Sequence, residues 1–483
     1  MLTVAIVWIV HRRRHDVAPQ PLAVPTATPA TVIAPAAPAW SYAQRAALRR
    51  ALHASLDRAT AGAGAWSCVV LGRRGDVLFD DRAMRPAMPA SSQKLIVAST
   101  ALHDLGPAYR FHTLFAAGRK PVNGTLEGDL WVAGSGDPSL RSPDLRAGVS
   151  VLRRNGLHAI DGSIVVDGSA IAGEEINPLW NADDANEDFE VATSGISLDE
   201  DTVEFDVTGT TPGAPARIQT EPSGDAVQYS GSIATSASGD DVIIAATDAP
   251  NRFIASGVIP PGVTEKYWVP VHGIPQYVGS VLTRMFKLRG ITVARPPATG
   301  IVPLRTVVLW DHRSAPLRDL VHDMLFASDN HYAEQLMRVA GGLDGAAATD
   351  AHGISAERSF LRGIGVPTPG IHVVDGSGLA HANRVAAITL AGILSYEQRV
   401  PGGNPLYLLL PRGGADGTLK HYRFTSALGR VRAKSGHLSD AEALAGYVTT
   451  RHHGRVSFAF IVNDSPGDPD DAIVSAVDKL SDF

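Results

Sequence analysis

Cysteine is nearly absent. Cys68 stands alone among 483 residues, so no intramolecular disulfide can form. A chain this long builds a core without such bonds, and the shortage neither requires nor excludes export. Cys68 sits in the apolar run 66–71, where a small buried residue is expected rather than a reactive thiol. No run of like charge is longer than Arg12-Arg13-Arg14, and the net charge of -6 argues against nucleic acid, which demands a basic face. There is no H-E-x-x-H and no paired C-x-x-C, so the 17 histidines form no metal pattern. Neither a metal nor an organic cofactor is expected. Lysine is the last scarcity: seven of the 43 basic residues are lysine and 36 are arginine. A chain that so consistently uses arginine has a chemical reason for lysine where it appears. Lysine sheds its proton in a desolvated site and acts as a base, which arginine does not.

Along the chain the texture changes. The apolar run 2–10 falls short of the ~20 residues that cross a bilayer. Its charged flank, 11–15, follows rather than precedes it, the reverse of a cleaved signal peptide, so a start that has lost part of a signal or membrane anchor is expected. Residues 16–39 are rich in Pro and Ala, an extended spacer suited to a membrane tether. Folded sequence begins near Trp40. Leu48, Leu52 and Leu56 recur at helical spacing within 43–59, and strands at 66–71 and 77–79 flank a Gly72–Asp76 turn. From 108 to about 267, short strand-like pieces alternate with turns, and helical periodicity is confined to 142–155. A small all-β module is expected near 200–250. Helical sequence returns at 274–288 and 316–340, followed by strands at 443–449 and 456–462 and a helix near 471–480. This order describes an α/β (α+β) catalytic domain in two parts, 40–107 and 268–483, interrupted by a β-rich insertion at 108–267. Residues 1–39 stand outside it.

Three short motifs carry chemistry. Pro89-Ala90-Ser91-Ser92-Gln93-Lys94 runs into the apolar Leu95-Ile96-Val97-Ala98, a loop entering a buried helix. Ser91 and Lys94 are one helical turn apart, which suits a serine nucleophile with a lysine base. S-x-x-K occurs once in the chain. Alone it is also what a serine cap with a first-turn lysine looks like. Ser328-Asp329-Asn330, expected on a helix spanning 325–339, supplies a hydroxyl for proton relay and an amide to grip a carbonyl. Turn and cap preferences would explain it equally. Lys434-Ser435-Gly436 beside the strand-like 444–448 offers a cation and a hydroxyl to a carboxylate, with a glycine for close backbone approach. A surface turn would read the same way. Each is ordinary singly; the three in this order are not.

S-x-x-K, S-D-N and K-S-G, the last in place of K-T-G, in that order resemble the penicillin-recognising serine enzymes. Some 237 residues separate Ser91 from Ser328, more than a class A β-lactamase would hold there. The chain therefore resembles the low-molecular-mass class C penicillin-binding proteins, the D-alanyl-D-alanine carboxypeptidase/endopeptidases, whose transpeptidase-like domain is similarly interrupted. Gly128-Asp129-Leu130, Gly136-Asp137-Pro138, Asp375-Gly376-Ser377-Gly378-Leu379 and Asp416-Gly417-Thr418-Leu419 add to the likeness. The resemblance implies Ser91 as the acylated nucleophile, Lys94 as its base, and Ser328 as the relay to the leaving amine. It implies Asn330 as the grip on the acyl-side amide, with Lys434 and Ser435 on the terminal carboxylate. Gly436 lets the substrate backbone lie close, and the backbone N–H groups of Ser91 and His437 form an oxyanion hole. Ser435 stands where the family motif has threonine, and His437 is asked only for its backbone. Loops 375–379 and 416–419 are expected to line the cleft. The implied substrates are peptidoglycan stem peptides, the implied inhibitors β-lactams, and the implied location the cell envelope, periplasmic or otherwise outside the cytoplasm. A β-lactamase, a D-amino-acid amidase or esterase, and a non-catalytic peptidoglycan-binding scaffold remain rival readings.

Overall fold

In the first strand, β1 (Ala65–Leu71), alternate side chains enter two different cores. Trp66, Cys68 and Val70 join one, and Val69 and Leu71 the other. The computed structural model describes residues 38–60, 65–181, 189–190, 192–223, 226–343, 348–400, 405–465 and 469–483. The apolar run at 2–10 and nearly all of the Pro/Ala-rich spacer lie outside them. Residues 39–483 form one compact unit.

The strands β1, β2 (Val77–Asp81), β3 (Val431–Leu438), β4 (Ala441–Thr449) and β5 (Arg455–Asn463) build one antiparallel sheet in the order β2-β1-β5-β4-β3. One face is covered by α1 (Tyr42–Thr60) and the C-terminal helix Asp470–Ser481, through Leu48, Leu52, Ile473, Val477 and Leu480. The other is covered by α2 (Lys94–Asp104) and further helices. α2 is buried from Lys94 to Leu102, as a helix apolar all round should be. Small residues in the facing rows, Ala443, Ala445 and Ala459, let the helical layer lie close. Cys68 is fully buried, and burial pushes its thiol well up, which keeps it an inert core residue.

In the chain between β2 and β3, a second five-stranded sheet forms. Its order is Ala298–Thr299, Ile164–Asp167, Leu130–Gly134, His112–Ala117, Val307–Arg313. The insertion therefore does not end at 267 as expected. Val307–Arg313 pairs antiparallel with His112–Ala117, and the helix Ile274–Leu288 sends Ile274, Tyr277, Val278, Leu282 and Phe286 into the same core as Phe115 and Leu130. Pairing across nearly two hundred residues leaves no local trace, which is why the boundary falls later than periodicity suggested. The smaller β module likewise outruns 200–250. Its sheets begin at Thr202 and close with Thr264–Pro270 on Thr202–Thr208, around Val207, Ile233, Val242, Ala255 and Ile259.

Candidate active site

Ser91 lies in the single 3-10 turn Ala90–Gln93 that leads into α2. Ala90 adopts a left-handed conformation, φ 46°, which costs a side-chain-bearing residue roughly 1–3 kcal/mol. The surroundings over-determine it. Ser92 Oγ donates to Pro89 O at 2.6 Å, Gln93 Nε2 donates to Asp375 Oδ1 at 3.2 Å, and Gly378 backs onto the Ala90 carbonyl. A Cβ on Gly378 would stand 2.0 Å from that oxygen, so only glycine fits. Ser91 itself is half-buried.

Helical side chains lean toward the N-terminus, so Lys94 on the first turn of α2 points back at Ser91. Lys94 Nζ donates to Ser91 Oγ at 3.0 Å, to Asn330 Oδ1 at 2.7 Å and to the Ser377 carbonyl at 2.8 Å. Lys94 is 0% exposed, and burial lowers its pKa to about 8 against the opposing pull of Asp375, Glu334 and Asp329. About one lysine in ten is then neutral at pH 7, enough to act as a base.

The second motif does not lie on one helix. After the insertion's helices α3 (Ser142–Arg154) and α4 (Ile274–Leu288), the chain forms α5 (Leu317–Ala327), which stops at Ser328, left-handed with φ 63° and ψ 35°. Asp329 then caps α6 (Asn330–Gly341), its side chain accepting from Tyr332 N at 3.0 Å. The break turns the chain so that Asn330 starts a helix facing Lys94. Asn330 Nδ2 donates to Phe189 O at 3.0 Å, which orients the amide with Oδ1 toward the lysine. The Ser328 hydroxyl makes no hydrogen bond among the described residues.

Strand register explains the third motif. Lys434 stands opposite Ala445, Ala445 opposite Ala459, and Ala459 opposite Val69. Residues directly opposed share a face, so Lys434 points to the side where α2 lies. It is fully buried; desolvation, then the nearby Lys94 charge, holds its ammonium well below the usual lysine range. Its Nζ donates to Ser435 O at 2.6 Å. Gly436 falls on the same face, against the nucleophile's turn. A Cβ there would lie 2.8 Å from Pro89 O and 2.9 Å from each of Ser91 N and Ser92 N. Ser435 and His437 alternate to the opposite face. Ser435 Oγ donates to Thr418 Oγ1 at 2.9 Å, while the His437 side chain is 72% exposed and bonded through Nδ1 to Glu442. The structure thus gathers Ser91, Lys94, Asn330, Lys434 and the Gly436 backbone, while Ser328 stands at the left-handed end of α5, two residues before Asn330. The Ser435 and His437 side chains lie on the other face of this edge strand, turned to Thr418 and Glu442.

Sequence reasoning did not single out Glu334. It is buried on α6 and accepts from Gly376 N at 3.0 Å and from Ser377 N at 2.7 Å, the residue whose carbonyl meets Lys94. Burial, then the Asp375 charge, raises its pKa to about 7. The available signal was an acidic residue one turn beyond Asn330 in an otherwise apolar stripe. Loop 375–379 touches Lys94 through the Ser377 carbonyl, and loop 416–419 meets Ser435 through Thr418. Among the described residues, no group of three His, Cys, Asp or Glu side chains could hold a metal ion.

The chain is 28% identical to a D-alanyl-D-alanine carboxypeptidase of Actinomadura sp. (strain R39) over 456 residues, 90% of this chain and 85% of that protein. It is 27% identical to the D-alanyl-D-alanine carboxypeptidase DacB of Haemophilus influenzae, covering 79% and 81%. The crystal structure of penicillin binding protein 4 from Haemophilus influenzae superposes with a TM-score of 0.77 at 23% identity, over 88% of this chain and 98% of that one, which shows the fold. The sequence profile of the D-Ala-D-Ala carboxypeptidase 3 (S13) family matches residues 49–482. The chain belongs to that family, the low-molecular-mass class C penicillin-binding proteins.

Proposed function

We propose that this protein is a serine D-alanyl-D-alanine carboxypeptidase acting on peptidoglycan stem peptides through an acyl-enzyme on Ser91. The observation that carries the reading is Lys94 Nζ at 3.0 Å from Ser91 Oγ, fully buried, with its pKa lowered to about 8. Lys94 takes the proton of Ser91 as Oγ attacks the carbonyl between two D-alanines. The oxyanion is met by the backbone N–H groups of Ser91 and His437, in a site where fixed dipoles need no reorganisation. Ser328 relays the proton to the departing amine, and D-alanine leaves. Asn330 holds the acyl-side amide. Lys434 binds the terminal carboxylate, assisted by Ser435 at the strand edge and Gly436 behind it. Water then attacks the ester, with Lys94 again as base, and Ser91 is restored.

The same chemistry on a cross-linked stem peptide would be endopeptidase activity. A β-lactam, by presenting a strained amide and a carboxylate to the same groups, would leave Ser91 acylated. The substrate places the reaction in the cell envelope, on the periplasmic or extracytoplasmic side, with residues 1–39 serving as spacer or tether. No helix among the described residues is long and apolar enough to cross a membrane. The test is digestion of pentapeptide muropeptides, followed by chromatography. Wild type should release D-alanine and Ser91→Ala should not. Intact pentapeptide with both proteins would defeat the proposal.

A further inference from the structure

One stretch of the insertion meets the helical layer and its loops through a series of hydrogen bonds. Between residues 174 and 201 it supplies a hydrogen-bond partner to several successive groups of the site. The Glu174 carbonyl and Thr193 Oγ1 accept from Arg338, and the Ser194 carbonyl accepts from Gln335. Asp201 Oδ2 lies 3.2 Å from the buried His331 Nε2. Nearer the reacting atoms, the Phe189 carbonyl accepts from Asn330. Asn177 Nδ2 donates to Val374 O at 2.7 Å, and Trp180 Nε1 donates to Asp375 Oδ2 at 2.9 Å. Asn177 and Trp180 are both buried.

Asp375 is where these contacts converge. Its carboxylate is fully buried and accepts from five donors. Oδ1 receives Gln93 Nε2, Gly378 N and Asn383 Nδ2; Oδ2 receives Trp180 Nε1 and Ala380 N. Gln93 belongs to the nucleophile's own turn, and Gly378 is packed on the strained Ala90. One anion therefore ties the insertion to the residues on either side of Ser91. A buried carboxylate with one donor removed is left with an unmatched lone pair, and it shifts toward its remaining partners. Any such shift passes to Gln93 and Ala90, because nothing lies between.

We propose that Trp180 and Asn177 of the insertion are positioning residues for the reaction: through Asp375 and Val374 they hold the Ser91 turn and the Ser377 carbonyl in register with Lys94. Neither touches substrate. The proposal rests on the acyl-enzyme reading above and gives the insertion a catalytic consequence. The charged groups that share the buried space with Asp375 are Lys94 from α2, Glu334 from α6 and Glu357, fully buried on the neighbouring helix Asp350–Gly363. Gln93, Asn383 and Trp180 complete its surroundings. With the indole N–H gone, the Asp375 charge is less neutralised and holds the proton on Lys94 more firmly. The acid limb of acylation should then move to higher pH, which a loss of packing alone would not do.

The experiment measures the second-order rate constant for acylation by labelled penicillin from pH 6 to 10, together with thermal unfolding, on the full chain. Trp180→Phe keeps an aromatic ring and removes the donor. It should slow acylation about tenfold to a hundredfold, the scale set by misplacing reacting groups by less than 1 Å, and move the acid limb upward. Asn177→Ala should slow acylation in the same direction by less. Trp310→Phe is the control. Its ring packs on Phe115 and Gly148 inside the insertion, and its loss should cost stability without altering acylation. Acylation at the wild-type rate with an unshifted limb in Trp180→Phe overturns the proposal, whatever its unfolding temperature. Should Trp180→Phe fail to fold, Asn177→Ala decides in the same way. A wild type that takes no label at Ser91 would instead defeat the functional reading itself.

Discussion

Lys94 and Glu334 are joined through a single residue: Ser377 donates its N–H to the carboxylate at 2.7 Å and lends its carbonyl to the ammonium at 2.8 Å. The base is thus held by a peptide group that is itself held by an acid. Both partners titrate near neutrality, Lys94 at about 8 and Glu334 at about 7.

A pH dependence follows from the Lys94 value. The working base is neutral lysine, so acylation by labelled penicillin should rise about tenfold per pH unit below 8 and level off above it. The Glu334 charge pulls the lysine pKa upward. Glu334→Gln, which keeps an acceptor for the Ser377 N–H, should therefore move the midpoint below that of wild type. Rate constants for both proteins across pH 6 to 10 check the direction.

Gly436 and its neighbour His437 should behave oppositely. Gly436→Ala drives a methyl into Pro89 O, Ser91 N and Ser92 N, all backbone atoms that cannot swing away. Pushing the strand off the nucleophile's turn should slow acylation about a hundredfold. His437→Ala removes an exposed side chain and leaves the backbone N–H in place, so its acylation rate should stay within about twofold, the change expected of a surface substitution. Labelling time courses distinguish the two.

Lys434 is expected to recognise charge on the substrate. Lys434→Gln should reduce kcat/KM for a peptide with a free C-terminal carboxylate by roughly a hundredfold, the worth of one charge-assisted hydrogen bond. Against the same peptide amidated at its C-terminus the substitution should do little. The two losses, measured together, should be strongly non-additive, which a general disturbance of the site would not produce.

How much of this was legible in the sequence differs by element. The lysines declared themselves, because a chain with 36 arginines placed Lys94 and Lys434 where a neutralisable or compact cation is needed. The core helices and strands at 42–60, 142–154, 274–288 and 441–463 follow their own periodicity. The junction at Ser328 was obscured because the apolar stripe continues through α5 and α6 with the break hidden in Ser-Asp-Asn. Asp329 as a cap was the local clue. The end of the insertion at Arg313, and the hydrogen bond from Trp180 to Asp375, depend on pairings of residues far apart in the chain. Periodicity and turn chemistry are local quantities and carry no record of either.

Ser328 offers a test that separates conformation from chemistry. Its φ of 63° strains a side-chain-bearing residue, so Ser328→Gly should leave folding stability unchanged or raise it by up to about 1 kcal/mol. The hydroxyl is nevertheless lost, and the rate of D-alanine release should fall about tenfold to a hundredfold if it relays the proton. Thermal unfolding and turnover on the same preparation give both readings.

The decisive measurement is mass spectrometry of the protein after brief exposure to penicillin, with peptide mapping. The expected result is one added penicillin mass on the peptide containing Ser91, stable over the period of the assay, and no addition to Ser91→Ala. Label on a different serine, or rapid loss of penicillin with no adduct at Ser91, would contradict the assignment of this site as a carboxypeptidase centre.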